Sequence, residues 1–299
     1  LGRKWSKLFS WGHDRYRPIA YTVYNGKPRA QKNVSSRQFK PKVNPGARMV
    51  PEKTAILTGG DLFSPADPVE PGALSVVGFK ADIPTEVNGR RTALAKWITH
   101  KNNPLTARVM VNRVWQYHFG RGLAGSPNNF GATGKKPTHP DLLDWLASEF
   151  MARGWSVKEL HRLIMTSETY RRASTHPDVD QLAKLDSKGN SYAVFRPRRL
   201  AAEELRDAML AVTGELNRKP GGIPARPDMN LEAALQPRMI MGTFAPSYVP
   251  DTKPAQRNRR SIYALKLRGH RDPFMTTFNQ PGPDKSCELR DSSNVTPQV

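Results

Sequence analysis

Residues 103–172, NPLTARVMVNRVWQYHFGRGLAGSPNNFGATGKKPTHPDLLDWLASEFMARGWSVKELHRLIMTSETYRR, decide the fold class. Asn103 and Pro104 open them as an N-cap followed by proline at the first helical position, where the missing N–H costs nothing. Val111, Val114, Trp115 and His118 then recur at spacings of three and four, one face of an α-helix that runs to about Phe119. Gly120 and Gly122 stop it. Thr138-His-Pro-Asp141 opens the next helix, with Thr138 as the expected cap and Asp141 answering the orphan N–H groups of the first turn. Leu142, Leu146 and Phe150 form its expected buried stripe, with Leu143 and Trp145 beside it. Gly154 ends that helix. Ser156-Val-Lys-Glu159 is a second capping box and starts another, striped by Leu160, Leu163, Ile164 and Ser167. Two helices separated by so few residues predict an antiparallel helical hairpin.

Outward from this centre the signals thin. Leu94, Trp97 and Ile98 place one face of a short helix within residues 88–100. Residues 54–59, TAILTG, read as a short strand closed by Gly59 and Gly60, and the proline-rich residues 63–72 as a loop. Residues 174–197 read as loop, and residues 200–216 as a helix striped by Leu205, Met209, Val212 and Leu216. Residues 239–244 are too short to assign, and RSIYALKL at 260–267 reads as a strand by alternation. The expected fold is mainly α: a helical domain built on an antiparallel helix hairpin, with a few short β segments and long Pro/Gly-rich loops. The expected organisation is a basic, aromatic segment over residues 1–53 and a mainly helical domain over residues 54–299, cut short at its C-terminal end.

Composition bounds the function classes. Among 299 residues, 26 Pro and 22 Gly with 37% apolar content leave room for a core but make much of the backbone loop. No run of residues is long and apolar enough to span a bilayer. The formal net charge is +21, and residues 1–50 alone carry twelve Lys and Arg against the single Asp14, interleaved with Trp5, Phe9, Trp11, Tyr16, Tyr21 and Tyr24. A basic aromatic arm is the electrostatic footprint of a polyanion binder, although no nucleic-acid module accompanies it and nucleic acid is the disfavoured partner. With Cys287 as the single cysteine, the chain can form no internal disulfide, Cys-x-x-Cys-His haem attachment or cysteine zinc cluster.

A family resemblance rests on ALAKWIT (93–99), NPLTARVMVNRVWQYHFGRGL (103–123), NNFG (128–131), PTHPDLLDWLASEFMARGWSVKELHRLIMTSETYRRAS (137–174), RPRRLAAEELRDAML (196–210), RRSIYAL (259–265) and FNQPGPDKSCELRDSSNVTPQ (278–298). In these pieces the chain resembles the C-terminal domain, of unknown function, of the planctomycete-type cytochrome-c-associated proteins. ILTGGD at 56–61 also resembles a family element, with Gly59 where that pattern usually has Arg. The resemblance implies a larger exported parent in the periplasm or cell envelope, often with a haem-c domain upstream, and envelope or haem-linked protein partners. This chain carries no haem motif, so no cofactor is expected within it.

The candidate chemistry is sparse. His118, His139 and Arg121 flank the glycine-rich connector 121–137, and a proton-transfer site there would draw on histidine's near-neutral titration. That connector lacks the Gly-Lys-Ser/Thr ending of a phosphate loop, and no metal-ligand spacing joins the histidines. Arg108, Asn112, Arg113 and Trp115 on the helix before it, with Asp284 and Arg290 near the C-terminus, are candidate binding residues; ion pairs to Asp141, Asp144, Glu203 or Glu204 compete for the arginines. Glu203 and Asp207, four apart on one helix, read as a solvated face, and Cys287 reads as a buried structural thiol. The function expected is a binding or interaction domain in an envelope assembly, with acidic glycan as a candidate ligand. A hydrolase or redox enzyme at 118–139 and a polyanion binder at the N-terminal segment are the alternatives.

Overall fold

Helices α1 (Arg90–Ile98), α2 (Pro104–Phe119), α3 (Pro140–Ala152) and α4 (Val157–Met165) follow one another in the computed structural model. The structure describes residues 54–230, 238–240, 243–245, 248–267, 271–282 and 286–298, so the basic N-terminal segment lies outside the described residues. Helices α5 (Val179–Leu185), α6 (Ala202–Val212), α7 (Pro254–Arg257) and α8 (Pro273–Thr277) complete a mainly α fold. Strands β1 (Ala55–Leu57) and β2 (Pro65–Pro68) form one antiparallel pair, and β3 (Arg238–Ile240) and β4 (Thr243–Ala245) another. The described residues fall into two compact units, 54–114 with 139–162 and 115–138 with 163–298.

In the first unit, buried Asn103 both ends α1 and starts α2. Its Nδ2 donates to the Trp97 carbonyl at 3.3 Å, and its Oδ1 accepts the Leu105 N–H at 3.0 Å. Leu143, Leu146, Ala147 and Phe150 are the buried face of α3, so the stripe is turned slightly from the expected one and Trp145 is exposed. Arg108 on α2 reaches Asp144 on α3 at 2.5 Å. The turn after α3 puts two consecutive residues at positive φ, Gly154 at 66° and Trp155 at 60°. Tryptophan is costly there. Its N–H donates to the Phe150 carbonyl at 2.9 Å and its ring meets the Phe150 ring edge-on at 5.3 Å, which offsets the strain. Ser156 Oγ accepts the Glu159 N–H at 3.3 Å and so starts α4 as its capping box predicts.

Thr138 does not cap α3. Its N–H and hydroxyl both donate to the Leu123 carbonyl, so His139 takes the N-cap position without a side-chain cap bond. That same carbonyl anchors the connector 121–137 in the second unit, where Leu123 and Ala124 are buried. Ser126 Oγ donates to the Asn129 carbonyl at 3.0 Å and accepts the Lys135 N–H at 2.8 Å. A Cβ on Gly134 would fall 2.0 Å from the Asn129 carbonyl oxygen, so glycine is required for this close approach. The connector is therefore an ordered loop.

Four expectations fail in instructive ways. The proline-rich segment forms β2, since in a two-stranded sheet every strand is an edge and proline's missing N–H can face away from its partner. Residues 174–197 contain α5, started by Asp178, whose carboxylate accepts the Gln181 N–H at 2.8 Å. RSIYALKL is a 3-10 turn at Ser261–Tyr263 followed by an isolated parallel bridge between Ala225 and Ala264. Finally, α6 is inverted. Met209 is 54% exposed and Val212 89%, whereas Ala202 is buried and Glu203, Arg206 and Asp207 are largely covered. The charged face packs towards Ser261–Tyr263 and α8, and its hydrogen-bond partners and counter-charges come from Arg257, Arg259, Ser261, Lys266, Gln280 and Arg290.

Candidate functional site

Glu203, in the first turn of α6, is where those partners converge. Arg290 grips its carboxylate with two nitrogens, Nη1 to Oε2 at 2.5 Å and Nη2 to Oε1 at 3.1 Å, the forked geometry that makes Arg–carboxylate pairs strong. Gln280 Nε2 donates to Oε1 at 2.9 Å, and Lys266 Nζ lies 3.5 Å from the same oxygen. Burial alone would raise the carboxyl's pKa, but Arg290, Gln280 and the helix's own backbone outweigh it and hold the group at about 2. Glu203 is a carboxylate at any physiological pH.

Gln280 works in two directions. While its amide holds Glu203, its backbone carbonyl accepts Nη2 of Arg271 at 2.7 Å. Asp272, next in the chain, caps α8 by accepting the Met275 N–H at 3.4 Å. These residues, with Lys266 and Arg290, wall a cavity of about 320 Å³ whose apolar side is Met229, Leu265, Leu267 and Pro281. Buried Tyr248 also lines it and donates its hydroxyl to the Pro227 carbonyl at 2.9 Å. Burial, then the nearby Asp272 and Asp251, push this phenol up to about 12.

A second layer fixes the floor. Asp207, one turn after Glu203, accepts the Ser261 N–H at 2.7 Å. Arg206 donates to the carbonyls of Arg259 at 2.9 Å and Arg257 at 3.0 Å, and to Ser261 Oγ at 3.2 Å. Burial pulls the Arg206 pKa below its ordinary value, while Asp207 and Asp272 counter that pull. The Glu203 and Asp207 pair is therefore not a solvated face. Glu203 bonds Gln280 and Arg290 from behind the cavity wall, and Asp207 holds the turn at Ser261.

Apart from Arg290, the described sequence candidates do not line this cavity. Arg108 pairs with Asp144, Asn112 is fully buried, and Arg113 lines an apolar groove with Leu105, Val109 and Met110, all within the first unit. His139 belongs to that unit, whereas Trp115, His118, Arg121 and Arg290 belong to the second. Trp115 is buried and stacks on Phe119 at 4.3 Å between ring centroids, with Tyr192 edge-on to both. His118 meets Tyr170 edge-on at 5.4 Å, and Arg121 donates to the Lys188 carbonyl at 3.1 Å. Asp284 lies outside the described residues. Cys287 is exposed rather than buried, its thiol donating to the Leu289 carbonyl at 3.1 Å.

Of the cavity's polar residues only Arg290 was singled out from sequence as a binding residue. Lys266, Arg271, Gln280 and Tyr248 carry no local motif, although Gln280 and Arg290 both fall within the C-terminal element FNQPGPDKSCELRDSSNVTPQ. Among the described residues no group of three His, Cys, Asp or Glu side chains is arranged to hold a metal ion, and no helix is long and apolar enough to cross a membrane. No curated protein and no solved structure matches the chain. A family model does, over residues 90–299, from the first residue of α1 through the segments that supply Glu203, Lys266, Gln280 and Arg290. By that match the chain belongs to the family PSD1, described as a protein of unknown function (DUF1553).

Proposed function

We propose that the domain is a binding module and that the cavity beside Glu203 takes an acidic sugar residue of a polysaccharide. The supporting observation is the lining: Lys266, Arg271 and Arg290 stand against Asp272 in the wall, with Glu203 already gripped by Arg290. A volume of about 320 Å³ sits at the small end of ligand pockets, which run from roughly 300 to 1,000 Å³. Such a site suits one ring or two, with the Leu265 and Leu267 side facing the sugar's C–H surface and the guanidinium side its carboxylate or sulfate.

Acid–base catalysis fits this lining poorly. A general acid or base works best with a pKa near the operating pH. Glu203 at about 2 and Tyr248 at about 12 are locked on opposite sides of neutrality. Their fixed protonation states favour recognition over turnover. In this reading the domain belongs to an exported protein of the cell envelope and presents the cavity to glycan there, alongside envelope or haem-linked partners.

A calorimetric panel tests the proposal. Oligomers of uronic acid and of sulfated sugars should bind saturably, with affinity falling as salt rises, and neutral oligomers of the same length should not. Equal binding of neutral and acidic oligomers, or no binding of either, would sink it.

A further inference from the structure

A second concave site lies in the same unit, beside the aromatic cluster, and the glycan reading does not use it. Its volume is about 110 Å³, three to four times the ~30 Å³ a water molecule occupies in the liquid, too small for a sugar ring. Arg121, Lys188 and Arg196 line it together with Phe119, Tyr192 and Phe195.

Its charges do not balance. The lining carboxylate, Asp186, is consumed by the chain around it: it accepts the Ser191 N–H at 2.9 Å and the Asn190 N–H at 2.7 Å, and it accepts the Ser191 hydroxyl as well. Those bonds, the Ser191 hydroxyl first among them, hold its pKa below the usual carboxylate range, and the charge of Arg196 adds the smallest contribution, so one carboxylate faces three cations. Among the described residues no carboxylate comes within 4.0 Å of either Arg121 or Arg196.

The two guanidiniums lie against consecutive residues of the chain, 188 and 189. Arg121 Nη1 donates to the Lys188 carbonyl at 3.1 Å. Arg196 lies flat against the next residue, Gly189, where a Cβ would fall 2.6 Å from Nη2 and 2.7 Å from Cζ. Gly189 has φ of 63°, and three residues on Tyr192 has φ of 53°, a left-handed conformation that strains a bulky side chain. Like charges gathered on adjacent residues repel unless an anion sits between them, and a guanidinium's planar fork is the shape that holds one.

We propose that this pocket binds a tetrahedral oxyanion, a sulfate or phosphate group, between Arg121 and Arg196, with Lys188 at its rim. The oxyanion is either the free ion or the ester group of a larger molecule whose remainder stays outside the pocket.

Titration calorimetry on the full chain tests it at constant ionic strength, with inorganic sulfate, inorganic phosphate, a sugar 6-sulfate and a sugar 6-phosphate as ligands and chloride as the reference. Saturable binding of at least one free oxyanion is expected, weakened about tenfold by Arg196→Gln, with the Arg121→Gln, Arg196→Gln pair losing it; the sugar esters are titrated into the Lys266→Ala, Arg271→Ala protein, in which the larger cavity does not compete. An ester that binds tighter than its free ion identifies the esterified source; equal or weaker binding identifies the free ion. Arg196→Lys keeps the charge, removes the fork and disturbs folding least, so it should also weaken binding. Undiminished affinity in that variant, or no oxyanion heat above the chloride reference, overturns the proposal. The Lys266→Ala, Arg271→Ala protein should bind sulfate as wild type does. If it fails to, the oxyanion occupies the larger cavity and the second site is discarded, whatever the outcome with glycan.

Discussion

The aromatic cluster around Trp115 and the charged cavity around Glu203 occupy one unit and are held in opposite ways. The first packs Trp115, Phe119, Tyr170, Tyr192 and Phe195 at ring separations of 4.3 to 6.0 Å, with Trp115 stacked on Phe119 and the other pairs edge to face. Its stability is non-directional burial, and losing one ring leaves a void. The second is a set of directional bonds between charges that water would otherwise solvate, and losing one partner strands the others. The cluster can resist change without doing chemistry. The cavity must keep its charges satisfied and still show cations to a ligand, so it carries both the electrostatic cost and the candidate function.

Substitutions separate the two regimes. Trp115→Ala should have the largest effect on stability, a loss of about 3–5 kcal/mol in denaturant unfolding, independent of pH and salt because burial is what it removes. Glu203→Ala should cost about 2–3 kcal/mol, since it strands Arg290 and Gln280 next to a partly buried floor. Unlike the tryptophan variant, it should respond to pH. Folding lowers this carboxyl from 4.5 to about 2, so the native state binds fewer protons than the unfolded chain between those values. The contribution is full above pH ~5 and lost as pH falls through about 2, and solvent screening holds it below the ~1.4 kcal/mol per unit of an unscreened shift. A stability profile that is no flatter for Glu203→Gln than for wild type below pH 5 would contradict the assignment. At the small end stands Asp144→Asn. Asp144 is 53% exposed and Arg108 32%, so breaking the pair between α2 and α3 should cost no more than about 1 kcal/mol, less in high salt.

The same contrast explains what could be read from sequence. Helices α1 to α4 were legible because their signals are local: Asn103 before Pro104, Ser156 three residues before Glu159, apolar residues at spacings of three and four. The connector 121–137 drew attention through its glycines, yet at Gly134 a Cβ would fall 2.0 Å from the Asn129 carbonyl oxygen, so the glycine serves the turn rather than a phosphate. The face of α6 was misread for a physical reason. Amphipathic logic sends Met209 and Val212 inward, but the energy of this helix lies in Glu203 meeting Gln280 and Arg290, 77 and 87 residues further along the chain. No local pattern encodes a bond at that separation. The family match from Arg90 onward says that these segments travel together, without saying that they meet.

Binding of an oligouronate to wild type and to the Lys266→Ala, Arg271→Ala variant, followed by calorimetry at low salt, tests the cavity's role most directly. Both side chains are outside the Arg290–Glu203 fork, but Lys266 Nζ lies 3.5 Å from Glu203 and Arg271 donates to the Gln280 carbonyl, so the variant should melt a few degrees below wild type while staying folded at the temperature of the titration. The account predicts saturable binding in wild type and at least a tenfold loss in the variant, from two charge-assisted contacts of about 1.5–3 kcal/mol each. Equal affinity in the two proteins would contradict it.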